Sequence, residues 1–542
     1  MRHSLLFLIV SAAIVSVPNI SFASAHARHT SLHGTTTLTR FTHAAWLDVN
    51  RLRVRPTNRG QLDYDWGDGS GGAFWPDTTG LANVIVFDCG PWVAGKVGGI
   101  PHMGFTAWTS TYSPGPVVGG QAAIVVAPFD SLRYRVYKIN RGDSPSSNPD
   151  YKDWPADLGA PVDAQGKPRL YGDQMLWSVY NNLDTTAPTG YWKTHMPLPG
   201  LPVEIQETLY AQAGDDSASL MANVAFYEWT IINTGEAAIE SAYVSLWADI
   251  DFNDVTGNRP AVDTAAQLGY CWAAPYLPYV PERAVGFVWL YGPTVPSTGG
   301  SAVFRGRTVT NARNLPLTSF WGILDDSYPD SSFKGPAWSM GTAWNIARGF
   351  DKTGQPIIDS VTHKVTRFPY SGDPVTGTGW LCAQASGGAG FNMFSGPFTL
   401  AAHDTQWFMA ALIPVSNPDS LQCVAFLRER AAALRGLSYD RLTDVSAPVA
   451  GSEVPTATVL TQNYPNPFNP STTIRYGLPH LTHVTLTLFN TLGQKVAQLV
   501  DSDINAGYHD VQFNGSNLAS GVYFCRLQAG DFVQTKKFML LR

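Results

Sequence analysis

Val224-Ala225-Phe226-Tyr227-Glu228-Trp229-Thr230-Ile231-Ile232, closed by Asn233-Thr234-Gly235 and followed by Ala242-Tyr243-Val244-Ser245-Leu246-Trp247, is the stretch that decides the fold class. Both runs are short, dense in β-branched and aromatic residues, and separated by turn formers, which predicts two strands rather than a helix. Their spacing predicts an antiparallel hairpin with a longer loop. Further along, Thr405-Gln406-Trp407-Phe408-Met409-Ala410-Ala411-Leu412-Ile413 reads as a late core strand. A helix follows it. Asn417 is placed to cap that helix, Pro418 sits where a missing N–H costs nothing, Leu421, Val424, Ala425 and Ala432 fall at helical spacing, and Gly436 ends it.

The same apolar alternation runs from Leu32 onward, broken repeatedly by Gly, Pro, Asn and Asp. That punctuation belongs to β-sandwiches. Composition agrees: of 542 residues 44% are hydrophobic and only 14% charged, with Gly 50 and Pro 38, which suits an all-β extracellular protein. The length predicts more than one domain. A net charge of -6 and the absence of a basic stripe argue against nucleic-acid binding, which needs cations to displace phosphate counterions. The expected architecture is one or two large β-sandwich units over residues 26–446, with a split near 200 left open, and a late helix.

At the N-terminus Arg2 and His3 precede an apolar run from Leu5 to Val17 and then small residues at Ala23-Ser24-Ala25 or Ala25-His26-Ala27. This predicts a signal peptide over residues 1–25. The run is too short for a transmembrane helix, and no later run is longer, so no membrane-spanning segment is expected. Cys89, Cys271, Cys382, Cys423 and Cys525 are scattered and odd in number, without a C-x-x-C pair. They leave both free buried thiols and a bridge or two open.

Residues 447–460, containing Ala-Pro-Val-Ala-Gly-Ser-Glu-Val-Pro, have little apolar periodicity and read as a linker. Short strands follow at Thr472–Leu478, Val484–Phe489, Lys495–Val500, His509–Phe513, Gly521–Leu527 and Phe532–Leu541. In the second, Val484, Leu486 and Leu488 alternate onto one buried face. Tyr464 and Phe468, in a proline-rich lead-in, are candidate anchors. The expected unit is an immunoglobulin-like β-sandwich of six or seven strands.

Four motifs in this unit carry a resemblance: Asn463-Tyr464-Pro465-Asn466-Pro467-Phe468-Asn469-Pro470, Leu488-Phe489-Asn490-Thr491-Leu492-Gly493-Gln494-Lys495-Val496, Ala519-Ser520-Gly521-Val522-Tyr523-Phe524, and Lys536-Lys537-Phe538-Met539-Leu540-Leu541-Arg542. Residues 461–542 resemble the type A C-terminal sorting domain of the type IX (Por) secretion system. The resemblance implies export to the periplasm and recognition by the type IX machinery at the outer membrane of a Gram-negative bacterium. It also implies cleavage by the machinery's sortase, with release or cell-surface attachment of the body. Cys525 stands where that family more often has an aromatic or aliphatic residue. Body segments such as Val136–Asp143 and Ser371–Trp380 resemble large secreted proteins of the same transport class that have no assigned activity.

The strongest polar constellation in the body is Asp249-Ile250-Asp251-Phe252-Asn253-Asp254, with Asp263 beyond it. Oxygen ligands at alternating positions suit calcium, so Asp249, Asp251, Asn253, Asp254 and Asp263 are the candidate metal ligands. The loop is not an EF-hand, because Asp254 and Pro260 stand where that motif needs Gly and Glu; without a metal, the carboxylates would form a solvated loop with Asx turns. Arg141-Gly142-Asp143 reads as a receptor tripeptide or an ordinary turn. No G-x-S-x-G, H-E-x-x-H or phosphate-loop motif occurs. Glu204, Glu207 and Glu228 could supply a glycosidase pair, although alternation beside Val203, Ile205 and Leu209 places Glu204 and Glu207 toward solvent. Trp46, Trp66, Trp75, Trp92, Trp154, Trp177 and Trp192 crowd the first two hundred residues, as sugar-stacking platforms or, more simply, as core. Two functions follow: a non-catalytic surface protein for adhesion, matrix or polysaccharide binding, or a secreted glycan-active hydrolase.

Overall fold

A sheet covered on one face needs apolar residues at alternate positions, whereas a sheet covered on both faces needs them at nearly every position. The central strands of the body are of the second kind. The computed structural model describes residues 42–63, 71–76, 83–107, 110–122, 132–183, 200–214, 219–252, 257–273, 282–324, 340–383, 389–443, 458–460, 463, 466, 468, 470–479, 482–504 and 507–541. Residues 1–25, read from the sequence as a signal peptide, lie outside them.

In chain order, the long body strands begin with β1 (Asp88–Val97), β2 (Ile100–Gly104), β3 (Gln174–Asn181), β4 (Val203–Ala211), β5 (Ala225–Asn233), β6 (Ile239–Ile250) and β7 (Asn258–Asp263). They continue with β8 (Leu268–Ala273), β9 (Glu282–Tyr291), β10 (Thr294–Phe304), β11 (Arg307–Asn314), β12 (Ser319–Leu324), β13 (Ala389–Leu400) and β14 (Thr405–Asn417). A nine-stranded sheet has the order β7-β8-β9-β14-β5-β4-β3, then the short strand Ser113–Pro114, with Tyr137–Asn140 also pairing β3. A five-stranded sheet has the order β12-β13-β6-β1-β2. Strands β10 and β11 pair only with each other, as a separate ribbon.

The two sheets enclose one core, to which Ile205 and Leu209 of β4, Trp229 of β5, Phe287 of β9, Phe408 of β14, Leu246 of β6 and Phe391 of β13 all contribute. On the outer face of the large sheet, Phe226, Trp407, Met409 and Ile413 meet Cys423, Val424, Leu427 and Leu434 of a helix over Ser420–Arg435. Outside the small sheet, Trp92, Met103 and Trp247 meet Ala343, Trp344 and Ala347 of a helix over Met340–Ala347. In chain order these helices are α1 (Met340–Ala347) and α2 (Ser420–Arg435), and the short α3 (Tyr439–Thr443) follows.

Two expectations about the body need correction. Strands β5 and β6 are not a hairpin: β5 pairs β4 and β14, whereas β6 pairs β1 and β13 in the opposite sheet. The connection is an arch across the core, held by Asn233, whose Nδ2 donates to the carbonyls of Ala237 (2.9 Å), Leu400 (3.1 Å) and Ala401 (2.9 Å). The α2 cap is Asp419, whose Oδ1 accepts from the Leu421 N–H at 2.9 Å; Asn417 instead accepts from the Asp419 N–H. Helix α2 also has companions, including Pro149–Lys152 and α1. Across residue 200, β3 and β4 pair from Gln174↔Ala211 to Asn181↔Glu204, so the sheet is continuous where the sequence leaves a split open. All five cysteines are buried, and no disulfide joins any two of them.

The C-terminal unit is a seven-stranded sandwich of a three-stranded and a four-stranded sheet. Its strands are β15 (Val459–Leu460), β16 (Ser471–Leu478), β17 (Thr482–Phe489), β18 (Lys495–Ile504), β19 (Gly507–Asn514), β20 (Gly521–Ala529) and β21 (Phe532–Leu540). Strand β15 lies inside the segment read as linker, because Leu460 is needed to fill the core against Ile474 and Leu540.

Candidate functional site

The three candidate glutamates do not face solvent, and they do not face one another. Along β4, Val203, Ile205, Glu207 and Leu209 share one side by period two, so Glu207 points into the core between the sheets. Its Oε2 accepts from the Tyr180 hydroxyl at 2.8 Å and from Trp229 Nε1 at 2.8 Å. Burial pushes its pKa up to about 7, only partly opposed by those two hydrogen bonds.

Glu228 occupies the opposite face of the same sheet. It accepts from the Tyr439 hydroxyl (3.0 and 3.2 Å to its two oxygens), from Trp407 Nε1 (3.1 Å) and from the Tyr210 hydroxyl (3.4 Å). Burial raises its pKa, while the Arg305 guanidinium and these donors oppose the rise. Glu204 accepts from the Val117 N–H at 2.9 Å and from Gln206 Nε2 at 3.0 Å, and burial raises it as well. Glu207 and Glu228 are therefore divided by a sheet, a geometry that cannot place two carboxyls across one glycosidic bond. The expectation that Glu204 and Glu207 face solvent fails because both sides of this sheet are covered.

The candidate metal ligands separate similarly. Asp249 ends β6, buried and directly opposite Asp88 of β1. Asp251 follows it, and Asn253 and Asp254 lie outside the described residues. Asp263, at the far end of β7, forms an ion pair with Arg428 of α2 at 2.9 Å, and the same guanidinium holds Asp373 at 2.6 Å. Among the described residues no group of three His, Cys, Asp or Glu side chains is gathered for a metal.

Arg141-Gly142-Asp143 is a turn with Gly142 at φ 86. The Asp143 carboxylate accepts from the Asn140 N–H, Asn140 Nδ2 and Asn148 Nδ2, and Arg141 pairs with Asp173. Trp75, Trp92 and Trp177 are buried in the core. Trp46 is half-covered, with the guanidiniums of Arg53 and Arg55 4.6 and 5.4 Å from its ring, and Trp154 donates to the Pro161 carbonyl at 2.9 Å. Trp66 and Trp192 lie outside the described residues. Sequence reasoning placed Trp407 only as a core-strand residue and gave no sign of Tyr180 or Tyr439; the last is 211 residues from Glu228, and no local spacing points to it.

The C-terminal sandwich is built around its lead-in. Phe468 is buried against Phe513 and Phe538. Its N–H donates to the Met539 carbonyl (2.9 Å) and its carbonyl accepts from Leu541 (3.0 Å). Asn466 Oδ1 accepts from the Met539 N–H at 2.9 Å, so the lead-in is laced along β21. Asn490 closes the β17–β18 turn by accepting from Leu492 and Gln494, with Gly493 at φ 76. The Tyr523 hydroxyl reaches back to the Ala519 carbonyl at 2.7 Å. Tyr464, the other expected anchor, lies outside the described residues.

Residues 462–541 match the family described as "Secretion system C-terminal sorting domain". The chain thus carries a type IX secretion sorting domain and is an exported, secreted or surface-attached protein of a Gram-negative bacterium. No curated protein matches the chain. Among solved structures, a polysaccharide lyase shows 9% identity and TM-score 0.18 over 62% of this chain and 34% of its own. Dimeric latent PorU from Porphyromonas gingivalis shows 11% identity and TM-score 0.14 over 70% and 33%. PorZ, a surface component of the type IX secretion system of P. gingivalis, shows 12% identity and TM-score 0.12 over 92% and 56%. The chain thus spans about a third of the lyase and of PorU. These scores carry no activity over to it. No helix among the described residues is long and apolar enough to cross a membrane.

Proposed function

We propose that the body is a non-catalytic surface protein that binds polysaccharide or cell-surface matrix after its sorting domain has delivered it. One observation supports this reading above the hydrolase alternative: Glu204, Glu207 and Glu228, the candidate carboxylates, are all buried and hydrogen-bonded inside the fold, with Glu207 and Glu228 on opposite faces of one sheet. A general acid has to reach a glycosidic oxygen directly or through one water. Calcium belongs to the proposal only as a structural ion on Asp249, Asp251 and the loop that follows.

The test exposes the purified protein to a panel of acidic and neutral polysaccharides, measuring retention and the release of reducing or unsaturated ends together. Retention without release is the expected result; release by wild type would refute the reading. Delivery is tested separately by removing residues 461–542, which should leave the body in the periplasm.

A further inference from the structure

Arg51-Leu52-Arg53-Val54-Arg55 alternates cation and apolar residue around the short strand Arg53–Val54, which pairs with Ala73–Phe74. A period of two sends Leu52 and Val54 into the core, where both are sealed, and leaves the three arginines half-buried on the outer face. Each guanidinium lies against an indole. Arg51 is 5.4 Å from the Trp75 ring, and Arg53 and Arg55 are 4.6 and 5.4 Å from the Trp46 ring. A guanidinium stacked on an aromatic face keeps its in-plane N–H donors while giving up rotamer freedom, so it is oriented before any anion arrives.

The acids nearest this row are used elsewhere or on one member only. Asp63 pairs with Arg55 at 2.9 Å, and Asp48, one residue beyond the Leu47–Val54 bridge, is taken by Lys138 at 2.7 Å. Arg53 has no ion pair or hydrogen bond among the described residues, and its Nε is buried without an acceptor. The terminal nitrogens of this half-buried side chain are therefore the part open to a ligand. Alternate positions on a strand repeat at about 7 Å, which makes the three cations a row, the shape of a linear polyanion rather than of a single ion. Composition hides the row, since three cations do not register in a chain of net charge -6. They are also too few for the counterion release that drives nucleic-acid binding. The sorting domain marks the body for export, and the linear polyanion that suits so short a row outside the cell is an acidic polysaccharide.

We propose that Arg51, Arg53 and Arg55, held against Trp46 and Trp75, bind the carboxylate or sulfate groups of an acidic polysaccharide, with Arg53 making the principal contact. The inference rests on the binding reading and narrows its ligand. Retention on neutral glycans that does not depend on Arg53 would overturn it and keep that reading; release of sugar ends together with Arg53-dependent retention would do the reverse.

The purified protein is titrated with polygalacturonate, dextran sulfate, neutral dextran, phosphatidylglycerol vesicles and duplex DNA. At least one of the two acidic glycans should bind and dextran should not. Arg53→Gln should weaken that binding about tenfold or more, the loss of one charge-assisted hydrogen bond. Lys138→Gln should leave it unchanged, because Asp48 already takes that cation. Binding of neither acidic glycan, equal binding by Arg53→Gln, or Arg53-dependent binding of vesicles or DNA alone overturns the proposal. If Arg53→Gln does not fold, phenylglyoxal modification of wild type decides. The acidic glycan that binds should lower the adduct on Arg53 severalfold by mass spectrometry and dextran should not; an adduct unchanged by either acidic glycan is the refuting result.

Discussion

Replacing Glu207 with Gln should stabilise the protein in alkaline solution and lose that advantage in acid. The Gln carbonyl can occupy the place of Oε2, which accepts from both Tyr180 and Trp229, so the change removes charge while keeping the two hydrogen bonds. Burial raises this carboxyl from an ordinary 4.5 to about 7. Below pH 4.5 native and unfolded chains both hold the proton. Between 4.5 and 7 the unfolded chain releases it while the native chain retains it, so stability falls with rising pH, and above 7 the loss is complete. That rise corresponds to about 3 kcal/mol, at roughly 1.4 kcal/mol for each pH unit between the two values. For a body of roughly four hundred residues, this is about 4 °C in Tm. Thermal melts of wild type and Glu207→Gln from pH 4 to pH 8.5 should diverge by that amount as pH rises. Curves that remain parallel would refute the reasoning and mean that Glu207 is already neutralised by another contact.

Asn233→Ala should destabilise the body by about 2–3 kcal/mol, since the arch carbonyls of Ala237, Leu400 and Ala401 lose their shared donor; urea titration of the body measures it. Phe468→Ala should cost the sorting sandwich about 3–5 kcal/mol and reduce export, read as body retained in the periplasm. Asp143→Ala should lower stability by about 1–2 kcal/mol without changing host-cell attachment, because its carboxylate serves the turn. A melt with added calcium against one with chelator tests the Asp249 loop: a Tm rise that Asp251→Asn abolishes supports the ion, and superimposable melts exclude it.

The sorting sandwich was legible almost to the residue, and the body only in class. In the C-terminal unit each sheet has one covered face, so a period of two fixes which side chains are buried. Val484, Leu486 and Leu488 are fully buried as their alternation requires, and β20 alternates regularly between buried and exposed from Tyr523 to Ala529. The Asn466 and Phe468 lead-in had an ordered motif to mark it, although the start of β15 did not.

In the body, by contrast, both sheets are sealed on both sides, and β5 is buried along almost its whole length, Glu228 included. Such a run announces a strand but says nothing about which sheet holds it. For that reason the β5–β6 connection read as a hairpin when it is an arch, and Glu204 and Glu207 read as solvent-facing when they are buried. The sequence alone determined strand content, the sorting unit and the lack of a familiar catalytic motif. Tertiary structure decided the partners of each carboxylate, because Trp407 reaches Glu228 only through the pairing of β14 with β5, and Tyr439 only through the packing of α3 over that sheet, both from far along the chain.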